Sequence, residues 1–185
     1  MNRLIFFLLI FLLCGCATYE RRIILVPQEV AGWGKNRSGF YESSCKEGGV
    51  RITEIVLGYQ GGGDMPFFIP IPAATKDDLE AVNKEEAWQY VEFFSNNRVD
   101  SCDASFIFLE NQITGELFYP TQTKDLGEVE SEEKYYRACY YYFDLPKDSQ
   151  AGYSFHVSDK VFNCNINPLP LKYNKSFEVI PMQIM

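Results

Sequence analysis

Apolar and polar positions alternate in short runs along most of the chain, and Gly, Pro and Asn separate the runs. Period-two alternation sends successive side chains to opposite faces of a strand, whereas a helix repeats its apolar positions every three or four residues. The pattern predicts strands at residues 22–26, 39–43, 50–59, 66–71, 88–95, 105–110, 116–119, 134–143, 153–157, 161–166, 169–173 and 177–180. Only 76–86 reads as helix: Thr75 is placed to cap it, Asp78 follows three residues later, and Leu79, Val82 and Glu86 continue at helical spacing. The expected fold class is therefore all-β, an antiparallel β-sandwich with Greek-key or meander connections, at most one short helix, and disulfide staples.

Turn chemistry sharpens this picture. Asn174-Lys175 and Thr114-Gly115 each suit a tight hairpin, and Pro146-Lys147-Asp148 opens a longer loop. Pro70, Pro72, Pro168 and Pro170 lack an amide donor, which assigns their segments to an edge strand or to extended chain outside a ladder. No internal repeat or low-complexity tract interrupts the pattern.

The start of the chain is written differently. Arg3 is followed by ten consecutive apolar residues, Leu4 to Leu13, the layout of a secretory signal peptide. Crossing a bilayer takes roughly twenty apolar residues, so this stretch reads as an export signal. Leu13-Cys14-Gly15-Cys16 then resembles the lipobox of bacterial lipoproteins, with Leu three positions before the cut, a small residue immediately before it, and the lipidated Cys after it. The resemblance covers the leader alone. It implies cleavage between Gly15 and Cys16, diacylglycerol on the Cys16 thiol, and acylation of the new amino group. Cys14 departs from the usual Ala, Ser, Thr or Val at that position, yet cannot be the lipidated residue, because bulky Leu13 would then occupy the cleavage position. Ala17 follows, where Asp commonly signals inner-membrane retention, so the expected location is the outer membrane, facing the periplasm, with the bilayer as a partner through acylated Cys16. Two or three acyl chains at about 0.8 kcal/mol per buried methylene make release negligible. The resulting division is a signal peptide at 1–15, a lipidated N-terminus, tether and first strand at 16–38, and a single β-sandwich domain at 39–185.

Composition narrows the partners. Removing residues 1–15 takes Arg3 and no acid, leaving 16 Lys plus Arg against 25 Asp plus Glu, a formal charge of −9. Nucleic acid and anionic membrane surfaces need clustered cations, so both are excluded as expected ligands. Cys45, Cys102, Cys139 and Cys164 remain after lipidation and read as two disulfides in an oxidising compartment, with three connectivities open. The spacing leans toward Cys139 with Cys164 and Cys45 with Cys102, because a short strand separates the first two. A metal site is not expected, since the spacings all exceed twenty residues and His156 is the only histidine.

Candidate chemistry is sparse, and neither catalytic residues nor a cofactor site are expected. His156 shares a strand face with Ser154 and Ser158, but residues two apart lie roughly 7 Å apart, too far for a nucleophile and its base. Gly58-Tyr59-Gln60-Gly61-Gly62-Gly63-Asp64 and Gly32-Trp33-Gly34-Lys35 lack the spacing of a phosphate loop and read as flexible loops. Asp125, Glu128, Glu130, Glu132 and Glu133 read as a solvated loop rather than a calcium site. The most unusual stretch is 135–143. Alternation there groups Tyr135, Arg137, Cys139, Tyr141 and Phe143 on one face, leaving Tyr136, Ala138, Tyr140 and Tyr142 on the other. With the Cys face inward, Tyr136, Tyr140 and Tyr142 form an outward ladder suited to a protein interface or to stacking on sugars. The expected function is a non-enzymatic envelope binding module for a protein partner, such as an assembly component or a toxin or hydrolase to be neutralised. The alternatives are a glycan or peptidoglycan module using the tyrosine ladder, and, further behind, a hydrolase working through paired carboxylates.

Overall fold

Strands account for most of the chain: β1 (Cys16–Pro27), β2 (Gly34–Lys35), β3 (Tyr41–Ser44), β4 (Gly48–Ile52), β5 (Ile55–Pro66), β6 (Ile71–Pro72), β7 (Ala87–Ser95), β8 (Ile107–Asn111), β9 (Leu117–Phe118), β10 (Gln122–Ser131), β11 (Lys134–Phe143), β12 (Tyr153–Val157) and β13 (Leu169–Pro181). The computed structural model describes residues 16–66, 71–72, 87–96, 99–131, 134–146, 151–162 and 164–181. Among these, one four-residue helix, α1 (Asp159–Phe162), and a 3-10 turn at Ala104–Phe106 are the only helical elements. The fold is thus all-β, and every register set between described residues is antiparallel. The leader expected at 1–15, the helix expected at 76–86, residues 67–70 and the loop expected at 147–150 lie outside the described residues.

Backbone contacts divide the chain into two compact units. Met1–Ile23, Gly58–Glu85 and Lys175–Met185 form one, in which β5 turns back onto β6 with Gly63 opposite Pro72. Ile24–Leu57 and Glu86–Asn174 form the other, which holds the described core. In that unit β7 is the central strand. β11 runs along one side of it for its whole length, while β4 and then β5 share the other side. β10 adds beyond β11. β8 pairs with both β12 and β9, and β12 also pairs with β13.

The inward faces make the core. Val91 and Phe93 of β7, Cys139, Tyr141 and Phe143 of β11, Ile107 and Leu109 of β8, and Phe155 of β12 are fully buried. Burying each such large side chain contributes about 1.5–3 kcal/mol. Phe93 is the hub, its ring 5.8 Å from Phe106, 6.3 Å from Tyr141 and 6.1 Å from Phe162. Glycines make room for rings on both sides of β4: a side chain at Gly48 would overlap Phe162 inside, and one at Gly49 would overlap Phe94 outside. The turn between β8 and β9 follows its sequence signal. Gly115 takes φ +70°, and the Asn111 carboxamide oxygen accepts from the amides of Ile113 (2.9 Å) and Thr114 (3.1 Å).

Several expectations are corrected. The disulfides join Cys45 to Cys164 (Cα–Cα 6.6 Å) and Cys102 to Cys139 (5.9 Å), not Cys139 to Cys164. Cys139 cannot reach Cys164 through a neighbouring strand, because β11 lies between β7 and β10 and has no contact with β12 in the ladder. Residues 50–59 form two strands rather than one: Ile52 pairs with Val91 but Val56 pairs with Trp88, one residue later than an unbroken ladder would place it. The slip falls at Thr53-Glu54, where Gln89 Nε2 donates to the Thr53 carbonyl at 3.2 Å. Of the strand expected at 161–166, Val161 and Phe162 belong to α1 and 164–166 are irregular chain. Asn174-Lys175 is no hairpin, and β13 runs straight through it, since neither residue is the glycine that a tight two-residue turn favours. Pro170 lies inside β13 opposite Ser154, not on an edge, and its carbonyl accepts from the Gln28 amide at 2.8 Å. The two glycine segments are not loops throughout. Gly58 to Asp64 belongs to β5, and Trp33 is buried, donating from Nε1 to the Asn167 carbonyl at 2.7 Å and meeting Phe155 edge-on.

Candidate functional site

The alternation of β7 and β11 sends one set of side chains into the core and the other outward. The registers Trp88↔Tyr142, Tyr90↔Tyr140, Glu92↔Ala138 and Phe94↔Tyr136 set the outward set side by side. Tyr136, Tyr140 and Tyr142 are half-buried, as are Trp88, Tyr90 and Glu92, whereas Phe94 is buried. Tyr140 is the centre of one ring cluster, meeting Trp88 (5.6 Å) and Tyr90 (5.7 Å) edge to face, with Phe40 packed on Tyr90 at 5.8 Å. Such cross-strand aromatic pairs stabilise a sheet by roughly 0.2–1 kcal/mol each.

A second cluster surrounds Arg51 on β4. Its guanidinium carbon lies 5.0 Å from the Phe94 ring centroid and 5.4 Å from that of Tyr136. Arg51 Nε donates to Glu42 Oε2 (2.8 Å) and Nη1 to Glu92 Oε2 (3.1 Å). Partial burial pulls the Arg51 pKa down, but hydrogen bonding and charge from Glu42 and then Glu92 outweigh it, and the group ends above its ordinary value. Glu42 and Glu92 hold the cation on this face. Burial, followed by the charges of Glu92 and Tyr140, raises the Tyr90 hydroxyl, so it remains a neutral donor. Lys134 Nζ lies 5.5 Å from the Phe94 ring, and exposed Lys124 stands opposite Tyr140 on β10.

No family model, curated protein or solved structure matches this chain. Its chemistry therefore rests on its own residues.

The other sequence candidates sit elsewhere. His156 stacks on Phe108 (centroids 4.5 Å, planes 9° apart) and holds Nε2 2.9 Å from Glu110 Oε2. Ser154 points to the same face, but its hydroxyl accepts from Gln112 Nε2 at 3.3 Å and is not joined to the imidazole. The acidic run is strand rather than loop. Asp125 and Glu128 lie on β10, and both grip Arg137 of β11, Glu128 at 3.1 Å. Glu130 belongs to the same strand, and Glu132 and Glu133 lie outside the described residues. Among the described residues no cluster of three His, Cys, Asp or Glu is placed to hold a metal ion. Cys16 is the first residue of β1. The sequence singles out the three tyrosines but not Phe40, Arg51, Trp88, Tyr90, Glu92 and Phe94, which the structure sets on or against the same face. The alternation in Trp88-Gln89-Tyr90-Val91-Glu92-Phe93 carried the signal for β7, though nothing in it says that β11 lies alongside.

Proposed function

We propose that this chain is a lipid-anchored protein of the bacterial cell envelope, acylated on Cys16 and held at the outer membrane facing the periplasm, and that it acts by recognition rather than catalysis. Its contact surface is the outward face of β7 and β11. The observation that carries this reading is the half-exposed row Tyr136, Tyr140 and Tyr142, braced by Trp88, Tyr90 and Phe94 and capped by the clamped Arg51. Tyr, Trp and Arg are the residues that dominate binding hot spots, because they combine large apolar area with a polar end and are already ordered before contact. A protein partner and a glycan are the two ligand classes this composition suits. The acidic mature chain supports neither nucleic acid nor an anionic lipid surface as ligand.

Two measurements test the proposal. The intact mass of the purified mature protein is expected to show Cys16 as the N-terminus carrying acyl chains, and Cys16→Ser to leave an uncut precursor. A different terminus, or a mass without lipid, would refute the anchoring. Replacing Tyr136, Tyr140 and Tyr142 together by Ser is expected to abolish capture of envelope components by the protein while leaving its circular dichroism β-rich, because each lost cross-strand pair costs only about 0.2–1 kcal/mol. Undiminished capture by the triple variant would move the site off this face.

A further inference from the structure

We infer that this face contains a saccharide-binding groove running across the strands, floored by Ala138 and Gly127 and closed at one end by Arg51 and Glu92. The inference rests on the reading of the face as the recognition surface. Successive registers place Glu42 opposite Arg51, Arg51 opposite Glu92, Glu92 opposite Ala138, and Ala138 opposite Gly127, one transverse row across five strands. The tiers on either side of this row are aromatic: Tyr90 with Tyr140, and Phe94 with Tyr136. Between them stand Glu92 on β7 and Ala138 on β11, and Gly127 continues the row on β10 between Lys124 and Val129. Ala138 stays half-exposed in the middle of a sheet, and a Cβ built at Gly127 would meet nothing within 4 Å. Tyr136 and Tyr140 are four residues apart on one strand, about 13 Å at the rise of a β-strand, and Ala138 is the one residue of β11 on the same face between them.

The closed end decides the ligand class. Arg51 has five N–H donors and commits Nε and Nη1, while Glu42 and Glu92 are each engaged through Oε2, so donors and acceptors stand next to one another. Charges on the face nearly balance, with Glu42 and Glu92 against Arg51, Lys124 and Lys134, although the mature chain carries −9. A strongly ionic ligand gains little from such a balance. A chain of pyranose rings uses all of it, since its hydroxyls both donate and accept and its C–H faces pack on the tyrosine walls. The bulge in β10 keeps the groove open: the register shifts between Asp125 and Gly127, and φ +102° at Gly127 is a conformation that side-chain-bearing residues rarely adopt.

The test uses the mature lipoprotein in detergent micelles and three probes: isolated peptidoglycan sacculi, extracted surface polysaccharide, and the β-1,4-linked tetramer of N-acetylglucosamine. Retention on sacculi or on surface polysaccharide is expected, competed by the tetramer if the source is the wall, and unchanged when amidase strips the stem peptides from the sacculi. Ala138→Leu, which fills the groove, should weaken retention by at least about tenfold, and Ala138→Ser should preserve it. Circular dichroism and the absence of free thiols verify that both variants are folded. Retention on neither polysaccharide, loss of retention with the stem peptides, or wild-type retention by Ala138→Leu would overturn the groove. If a co-purifying envelope protein is then still lost in the triple tyrosine variant, the face remains a recognition surface and its ligand is a protein.

Discussion

Replacing Cys45 and Cys164 together by Ala is expected to lower the unfolding free energy by about 4–5 kcal/mol, measured by urea denaturation of the oxidised protein. The bridge closes a span of 119 residues, and its main effect is to restrict the unfolded chain. The second bridge, Cys102–Cys139, spans 37 residues inside that loop and shortens it. Loop entropy varies only with the logarithm of length, so a remaining loop of about 80 residues changes the expected loss by a few tenths of a kcal/mol. A domain whose stability is of order 5–15 kcal/mol would lose a large part of it. The m-value should rise as well, because the unfolded chain expands when released. A loss below about 1 kcal/mol would mean that the native state gains something on release of the bridge, contrary to the chain-entropy account.

Phe93→Ala should produce the other large effect, a loss of about 3–5 kcal/mol. Phe93 is fully buried among Phe106, Tyr141 and Phe162, rings contributed by the 3-10 turn, β11 and α1, so its removal leaves a cavity where three separate segments meet. Near-UV circular dichroism should weaken along with the denaturation midpoint, since the surrounding rings lose their fixed packing. The neighbouring outward residue provides an internal control. Tyr90→Ala alters the opposite face of the same strand, where it removes ring contacts with Tyr140 and Phe40, and should cost at most about 2 kcal/mol. Equal losses at Phe93 and Tyr90 would contradict the division of β7 into an inner and an outer face.

The reasons some features are legible in the sequence, and others are not, are physical. β11 and β12 coincide with their predicted spans, and β7 differs by one residue, because each alternates without interruption and ends at a break in the pattern. The division of β11 into a Cys139 face and a Tyr140 face follows from that period alone. β10 escaped notice because its residues carry no apolar alternation; it is held by backbone pairing with β11 and by Arg137. α1, at four residues, is too short to display a helical period. The disulfide partners and the alignment of β7 with β11 are long-range facts. Chain proximity favoured Cys139 with Cys164, whereas topology places Cys102 beside Cys139. Arg51 was invisible for the same reason, since its partners Glu42 and Glu92 lie nine and 41 residues away.

The bulge in β10 also bears on how many copies can crowd together. β10 is ten residues long and, among the described residues, pairs with β11 alone, and the margin of such a strand is a row of backbone groups that a strand from another molecule could copy. Anchored through Cys16 as proposed above, the protein would be confined to two dimensions, where neighbours collide often and laterally. The register shift after Asp125 breaks the repeat that an incoming strand would have to match. The same irregularity that leaves Gly127 uncovered is therefore an obstacle to strand-by-strand addition along this margin.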